Sequence, residues 1–376
     1  MRIELPEPTP AESAHSERAA ALIRKEIAAA GGSLDFARYM ELALYAPGLG
    51  YYSAGATKFG AAGDFVTAPE LGAVFARCLA RVVAPALREL GGGDMLELGP
   101  GSGALAVELL LELERLDALP ARYHLLERSA DLRARQHATI MVRCAHLADR
   151  CAWLDSPPTE PWRGVLLANE VIDALPVRLF ALRESGSFVR QIAVDANERF
   201  VWHEAVADAA LRARLEDALG DKLDKLPRPY LSEVCPLLSP WFAEVTRALS
   251  QGTALFIDYG YAHGEYYAQA RREGTLRCHY RHRAHNDPLI LPGIQDITAW
   301  VDFDALARAG ARAGFNVAAH STQTEFLIAH GLDEVFADAY AAAPDEAMRY
   351  ALAQQVKRLT LPIEMGERFR VMALRR

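Results

Sequence analysis

The sequence predicts an α/β fold built on a mostly parallel sheet, and three observations carry that expectation. Asp94-Met95-Leu96-Glu97-Leu98-Gly99-Pro100-Gly101-Ser102-Gly103, followed by Ala104-Leu105-Ala106-Val107, reads as strand, tight glycine turn and helix. Short apolar runs at 123–126, 152–154, 165–168 and 253–257 each end in polar or acidic residues. Strands of a doubly wound sheet present such residues along one edge, where the ligand binds. The strand–helix alternation stops after 170, then resumes near 238, which predicts a long insertion in the sheet's crossover.

The chain has 376 residues, 51% of them hydrophobic, enough for one large domain or two smaller ones with a substantial core. A net charge of -8 argues against a general nucleic-acid surface. Cys78, Cys144, Cys151, Cys235 and Cys278 form no C-x-x-C pair and match no usual metal spacing. Scattered thiols imply a reducing compartment, and no metal is expected. The first residues show neither a charged n-region nor an apolar h-region, and no apolar run is long enough to span a bilayer. The expectation is a soluble, cytoplasmic protein.

Taken in order, residues 1–12 are Pro- and Glu-rich and are expected to start disordered. A helix follows, with Ala21, Leu22, Ile23 and Ile27 on its apolar face, and Gly31-Gly32 ends it. Ser33 is the expected N-cap of a second helix. The turn-rich aromatic stretch 44–52 leads to 59–70, whose glycines, aromatics and isolated acids suit a loop folding over a ligand. They suit equally a surface loop pinned by its aromatics. A helix over 71–90 enters the glycine turn.

Beyond 170, alternating runs at 177–182 and 188–194 flank Ser185-Gly186 as a hairpin, with a third run at 199–202. A charged helix over 206–223 and Pro227-Arg228-Pro229 follow. The alternation resumes with a helix over 238–249 and a buried strand over 253–260. A second excursion contains the basic stretch Arg277 to Arg283. Asp302 caps a helix to 313, and 316–322 and 368–374 are candidate last strands. Helices lie between about 323 and 358. The basic stretch reads as a solvated loop, an RNA contact or an anchor for an acidic partner.

The details of the turn point to its ligand. The spacing is G-x-G-x-G, not the G-x-G-x-x-G of dinucleotide binders, and no G-K-[ST] follows for a triphosphate. Glu97 puts a carboxylate at the mouth, which repels a pyrophosphate but can receive an ammonium. S-adenosylmethionine, with an ammonium, a sulfonium and no phosphate, fits better; an ordinary strand–helix turn stands beside that reading. Glu127 ends the second strand where doubly wound folds place a carboxylate for ribose hydroxyls.

Further motifs lie along the chain: Gly63-Asp64-Phe65-Val66-Thr67-Ala68-Pro69-Glu70, Asn169-Glu170-Val171-Ile172-Asp173-Ala174-Leu175-Pro176, Ile257-Asp258-Tyr259-Gly260 and Pro292-Gly293-Ile294-Gln295-Asp296-Ile297-Thr298, then Val301-Asp302-Phe303, Thr322-Gln323 and Met365-Gly366-Glu367. With the glycine turn, in this order, they resemble the MidA-like class I S-adenosylmethionine-dependent methyltransferases from about residue 18 onward. That family includes a mitochondrial protein arginine methyltransferase needed for respiratory complex I assembly. The resemblance implies a Rossmann-like, seven-stranded methyltransferase sheet. It also implies a helical and lid segment over 1–90, and a methyltransferase domain over 91–376 with insertions at about 174–235 and 261–300.

The expected donor-binding residues are Glu97, Gly99, Pro100, Gly101 and Gly103, with Glu127 on the ribose, Leu154 and Asp155 beside the adenine and Asn169 facing the methionine portion. By resemblance Thr67 also reaches the donor. Glu170, Asp173 and Asp258 are the candidate catalytic carboxylates, and Asp64, Glu233 and Asp296 the candidate acceptor-binding ones. Carboxylates hold a guanidinium in bidentate pairs. The Asn169-Glu170 pair stands where many amine and amide methyltransferases carry [DN]-P-P-[YF], which favours a cationic acceptor. Asp173 and Asp296 could instead cap helices or satisfy loop amides. The acceptor implied by resemblance is arginine on a protein partner such as a subunit of the respiratory NADH dehydrogenase. A donor-binding assembly factor with little turnover, and a methyltransferase of RNA or a small metabolite, are the alternatives.

Overall fold

The computed structural model describes residues 5–53 and 68–376. The chain divides into two compact units, one from Met1–Phe65, Asp173–Leu238 and Ala262–Ala305, the other from Val66–Ile172, Ser239–Tyr261 and Leu306–Arg376.

The second unit holds the parallel sheet. Seven of the sheet's eight strands lie in this unit: β1 (Asp94–Leu98), β2 (Tyr123–Leu126), β3 (Cys151–Leu154), β4 (Trp162–Asn169), β5 (Leu249–Tyr261), β6 (Asn316–Thr322) and β7 (Phe369–Arg375). They lie in the order β3-β2-β1-β4-β5-β7-β6. The first five are parallel, and β7 runs antiparallel to both its neighbours. Helices cover a sheet of this kind, so its central strands are continuous apolar runs. Met95, Tyr123, Leu125, Val165, Leu167 and Ile257 are at most 1% exposed and join the core of helices Ala73–Glu89 and Ala104–Arg115. The sheet order reverses at β1, so the edge above β1 and β4 is where a ligand site forms. This is the class I methyltransferase fold that the resemblance implied.

The first unit is antiparallel. Ser33–Asp35, Gly186–Val194, Arg178–Arg183 and Tyr230–Val234 pair in that order, and Phe200–Val206 joins Gly186–Val194. A smaller sheet orders Arg283–His285, Arg277–Tyr280 and Asp296–Thr298. Helices Pro10–Ala29 and Phe36–Tyr45 bury Ile23, Ile27, Phe36, Tyr39 and Met40 in a core shared with Ile192. Phe36 lies 5.7 Å from the ring of Tyr39 and 5.6 Å from that of Trp202.

Three local expectations are corrected. The N-terminal helix begins at Pro10, inside the stretch read as disordered, because Thr9 and Glu12 form a capping box and Pro10 stands at the helix start. Ser33 caps no helix: its hydroxyl donates to Gln191 Oε1 (2.9 Å) from a strand, and Asp35 takes the cap by accepting from the Ala37 amide (3.0 Å). The basic stretch is a hairpin, not a loop. It turns at Arg281 and His282, with φ of 46° and 59°, and buries Cys278 and Tyr280 on one face. All five cysteines are free. Among the described residues no helix is long and apolar enough to cross a membrane.

Candidate functional site

The glycine turn at the end of β1 is fixed by both torsion and space. Gly99, Gly101 and Gly103 have φ of 59°, 55° and 81°, a region that other residues enter at a cost. A Cβ on Gly99 would meet Val171 Cγ2 at 3.2 Å, and one on Gly103 would meet Gln136 Cα at 3.2 Å. The Gly103 amide donates to Pro100 O (2.8 Å) and the Gly99 amide to Leu126 O (3.2 Å), which closes the turn against β2. Gly103 opens helix Ala104–Arg115 without a side-chain cap, so the helix dipole faces the turn.

Two carboxylates flank this turn, with different surroundings. Glu97 is 2% exposed and accepts from the Tyr123 hydroxyl (2.7 Å). Burial pushes its carboxyl up to about 7, against the opposing pull of the tyrosine hydrogen bond. Glu127, just past β2, accepts from the Ser129 amide (2.8 Å) and from Gln136 Nε2 (3.3 Å). Burial raises its carboxyl above the ordinary carboxylate value, and these bonds oppose the rise. The Glu127 amide donates to Leu154 O (3.1 Å) at the end of β3. Arg133 donates to Glu127 O (2.6 Å) and to Asp155 Oδ1 (2.5 Å), so the exposed Asp155 is held beside the same edge.

Gln136, Arg133 and Trp153 were missed in the sequence. Gln136 is fully buried and also donates to Gly101 O (2.9 Å), while its Oε1 accepts from Trp153 Nε1 (2.9 Å). The signal was present: Ser129 caps helix Ala130–Arg143, and Arg133 and Gln136 stand three residues apart on one face of it.

At the end of β4, Asn169 Nδ2 donates to Glu170 Oε1 (3.2 Å), and Asn169 Oδ1 is buried without a hydrogen-bond partner among the described residues. Glu170 has φ of 53°, and its amide donates to Ile257 O (2.8 Å). Asp258, in β5, is 1% exposed. Its Oδ2 accepts from the Ile172 amide (3.0 Å) and its Oδ1 from the Tyr259 amide (2.9 Å). It thereby fixes the chain that leaves β4.

Three of the other expected acids belong to the other unit. Asp173, Glu233 and Asp296 belong to the first unit, whereas Glu170 and Asp258 belong to the second. The excursions that carry the first three fold into a unit of their own. Asp296 lies in a strand rather than at a helix start, and accepts from the Tyr52 hydroxyl (2.9 Å). Asp173 is buried, and its backbone carbonyl accepts from the Ala299 amide (2.9 Å). The rings of Tyr45 and Tyr52 stack at 5.6 Å; after burial, the charges of Asp173 and Asp296 hold both hydroxyls well above their ordinary value. Glu233 accepts from the Tyr266 hydroxyl (2.9 Å), the Thr275 amide (2.9 Å) and the Thr275 hydroxyl (2.5 Å). Asp64 and Thr67 lie outside the described residues.

The edge of the second unit offers what a sulfonium nucleoside needs. Glu127 can accept from ribose hydroxyls, and the orphaned Asn169 oxygen and Glu97 can face an ammonium. The uncapped helix start can face a carboxylate.

Known proteins agree. The family described as "Putative S-adenosyl-L-methionine-dependent methyltransferase" matches residues 78–321. A Burkholderia thailandensis protein solved bound to S-adenosyl-homocysteine is 43% identical, with a TM-score of 0.93, over 99% of this chain and 95% of that one. The zebrafish (Danio rerio) mitochondrial protein arginine methyltransferase NDUFAF7 is 29% identical over 90% of this chain and 83% of its own, and the human one 28% over 91% and 80%. These curated relatives are mitochondrial by name, so the expectation of a cytoplasmic protein is withdrawn. The chain belongs to the MidA-like family of class I S-adenosylmethionine-dependent methyltransferases, and S-adenosylmethionine is its cofactor.

Proposed function

We propose that this methyltransferase acts on an arginine side chain of a protein partner, and that Glu170 holds the guanidinium. The observation that carries the role of Glu170 is its backbone, a non-glycine residue at φ of 53° at the carboxyl end of β4. Such a torsion costs about 1–3 kcal/mol and concentrates at functional sites. It stands next to Asn169, whose side-chain amide donates to Glu170 Oε1 (3.2 Å). The choice of arginine is supported by relatives that are named protein arginine methyltransferases. A subunit of the respiratory NADH dehydrogenase is the proposed partner.

In this reading the glycine turn and Glu127 hold the donor, Leu154 and Asp155 border its adenine, and Asn169 and Glu97 face its amino-acid end. Pro100 shapes the turn. Bound S-adenosylmethionine supplies an electrophilic methyl group. The carboxylate of Glu170 localises the guanidinium charge on the nitrogens it faces, so that another nitrogen carries the lone pair. That nitrogen forms a bond to the methyl carbon as the carbon–sulfur bond breaks, and its proton leaves to solvent. Proximity and alignment supply much of the rate. Asp258 acts by fixing the loop beyond Glu170.

Glu170→Gln keeps size and hydrogen bonding but removes charge. Its expected effect is a loss of methyl transfer of at least about tenfold, roughly 1.4 kcal/mol in the barrier, with donor affinity nearly unchanged. Turnover to S-adenosylhomocysteine with NADH dehydrogenase subunits, alongside donor calorimetry, measures both. Unchanged transfer in the variant removes Glu170 from the chemistry. Methylation of RNA or a metabolite, with none of protein, replaces the acceptor.

A further inference from the structure

We infer that Gln136 is a positioning residue for the donor, which locks the Glu127 carboxylate, the glycine turn and Trp153 into one geometry before the nucleoside arrives. The inference rests on the reading of Glu127 as the ribose carboxylate and adds a residue that reading did not contain.

The orientation of the Gln136 amide follows from its partners. An indole N–H can only donate, so the oxygen of Gln136 must face Trp153 Nε1, 2.9 Å away. The NH2 group is then turned toward two acceptors, Gly101 O at 2.9 Å and Glu127 Oε2 at 3.3 Å. Each of its two N–H bonds has one of them. The other Glu127 oxygen accepts from the Ser129 amide at 2.8 Å. Both carboxylate oxygens are therefore anchored from behind, while each keeps lone pairs for a ligand. Gln136 is 0% exposed, so water cannot replace any of these bonds.

The packing agrees. Gln136 Cα would lie 3.2 Å from a Cβ on Gly103, so the backbone of helix Ala130–Arg143 presses directly on the turn. A shift of this side chain is felt at the turn and at the carboxylate together. Sites that bind tightly hold their contact groups in place by such supporting bonds rather than ordering them on binding. The bond from Gln136 also favours the ionised form of Glu127, which burial disfavours. An ionised carboxylate is the stronger acceptor for ribose hydroxyls.

The test is calorimetry of S-adenosylhomocysteine and of its 2′-deoxy analogue on the full chain. Gln136→Met keeps the volume and removes all three bonds. The expected result is an affinity for S-adenosylhomocysteine lower by tenfold or more. The penalty for deleting the 2′-hydroxyl should shrink at least threefold, and kcat at saturating donor should stay within threefold while the donor KM rises. Trp153→Phe removes the indole N–H that orients the amide, together with part of the ring, and leaves both Gln136 N–H donors in place; its expected loss is threefold or more. It serves if Gln136→Met does not fold. A residue that merely supports the fold would lower the melting temperature and leave the 2′-hydroxyl penalty alone. Donor affinity within twofold of wild type, or an unchanged 2′-hydroxyl penalty, in either variant overturns the inference. Glu127→Ala separates the two levels. If it weakens donor binding while the Gln136 and Trp153 variants do not, the inference alone fails. If it also leaves binding intact, the ribose reading fails and takes the inference with it.

Discussion

Glu127 and Glu233 are both glutamates that burial pushes above the ordinary carboxylate value, one in each unit. Their partners differ. Glu233 is 1% exposed and takes two hydrogen bonds from Thr275 and one from Tyr266, groups that are themselves buried. Glu127 is held from behind by Ser129 and Gln136 at the open end of a parallel strand. Burial and a raised proton affinity are common to both, so neither separates a carboxylate proposed to bind the donor from one that ties its own unit together. What separates the two is place: Glu127 follows a strand at the carboxyl edge of the parallel sheet, where ligands of such folds bind.

The contrast breaks most visibly at the turn. Gly101 has φ of 55°, so Gly101→Val places a β-branched side chain where neither the torsion nor the donor allows it. Donor affinity should fall at least about 100-fold, or about 2.7 kcal/mol, while the domain stays folded. Unchanged affinity by calorimetry would remove the turn from the site.

The pair itself gives the next effect. Glu127→Ala should weaken donor binding by about 1.5–3 kcal/mol, the scale of hydrogen bonds to a charged group, with little change in melting temperature. Glu233→Ala should do the reverse. It leaves the Thr275 amide and the Tyr266 hydroxyl buried without their acceptor, which costs on the order of 2–4 kcal/mol of stability, and donor affinity should stay within twofold. Parallel melting curves and titrations check the crossing. If both variants move the same quantity, the contrast is gone.

Glu97 sharpens it on a smaller scale. Its carboxyl sits at about 7 against an ordinary 4.5, so the folded state binds this proton more tightly than the unfolded one. Its contribution to stability is present in full below pH 4.5, fades as pH rises to about 7, and is flat above. A cationic donor end favours the ionised form, so binding below pH 7 should release a proton. Affinity should then fall by up to about tenfold per pH unit below 7. Calorimetry at pH 6 in two buffers of different ionisation enthalpy measures the release. Tyr123→Phe removes the bond that lowers the Glu97 value, so the release should begin at higher pH. Absence of proton release at pH 6 contradicts a donor ammonium beside Glu97.

The sheet was legible because buried parallel strands are short continuous apolar runs: those at 94–98 and 123–126 stand where they were read, and the one read at 152–154 begins one residue earlier, at Cys151. The hairpin Arg178–Arg183 and Gly186–Val194 was legible from its turn residues. The strand Ser33–Asp35 was not, because three residues carry no periodicity and its partner lies about 160 residues away. The basic hairpin was masked by its charges, although Cys278 and Tyr280 alternate inward. Asp173 follows β4 so closely that sequence order put it with Glu170, but the chain enters the other unit at that residue. For Gln136 the Ser129 cap and the three-residue spacing from Arg133 gave the helix face, but not its partners Gly101, Glu127 and Trp153, which only the fold brings together.

The acceptor is tested most directly by mass spectrometry of the NADH dehydrogenase subunits from cells with and without this protein. The expected result is a methylated arginine that is present in the first and missing from the second, and that returns with the wild-type chain but not with Glu170→Gln. Arginine methylation unchanged by the deletion, together with a methyl mark on RNA or a metabolite that disappears, would contradict it.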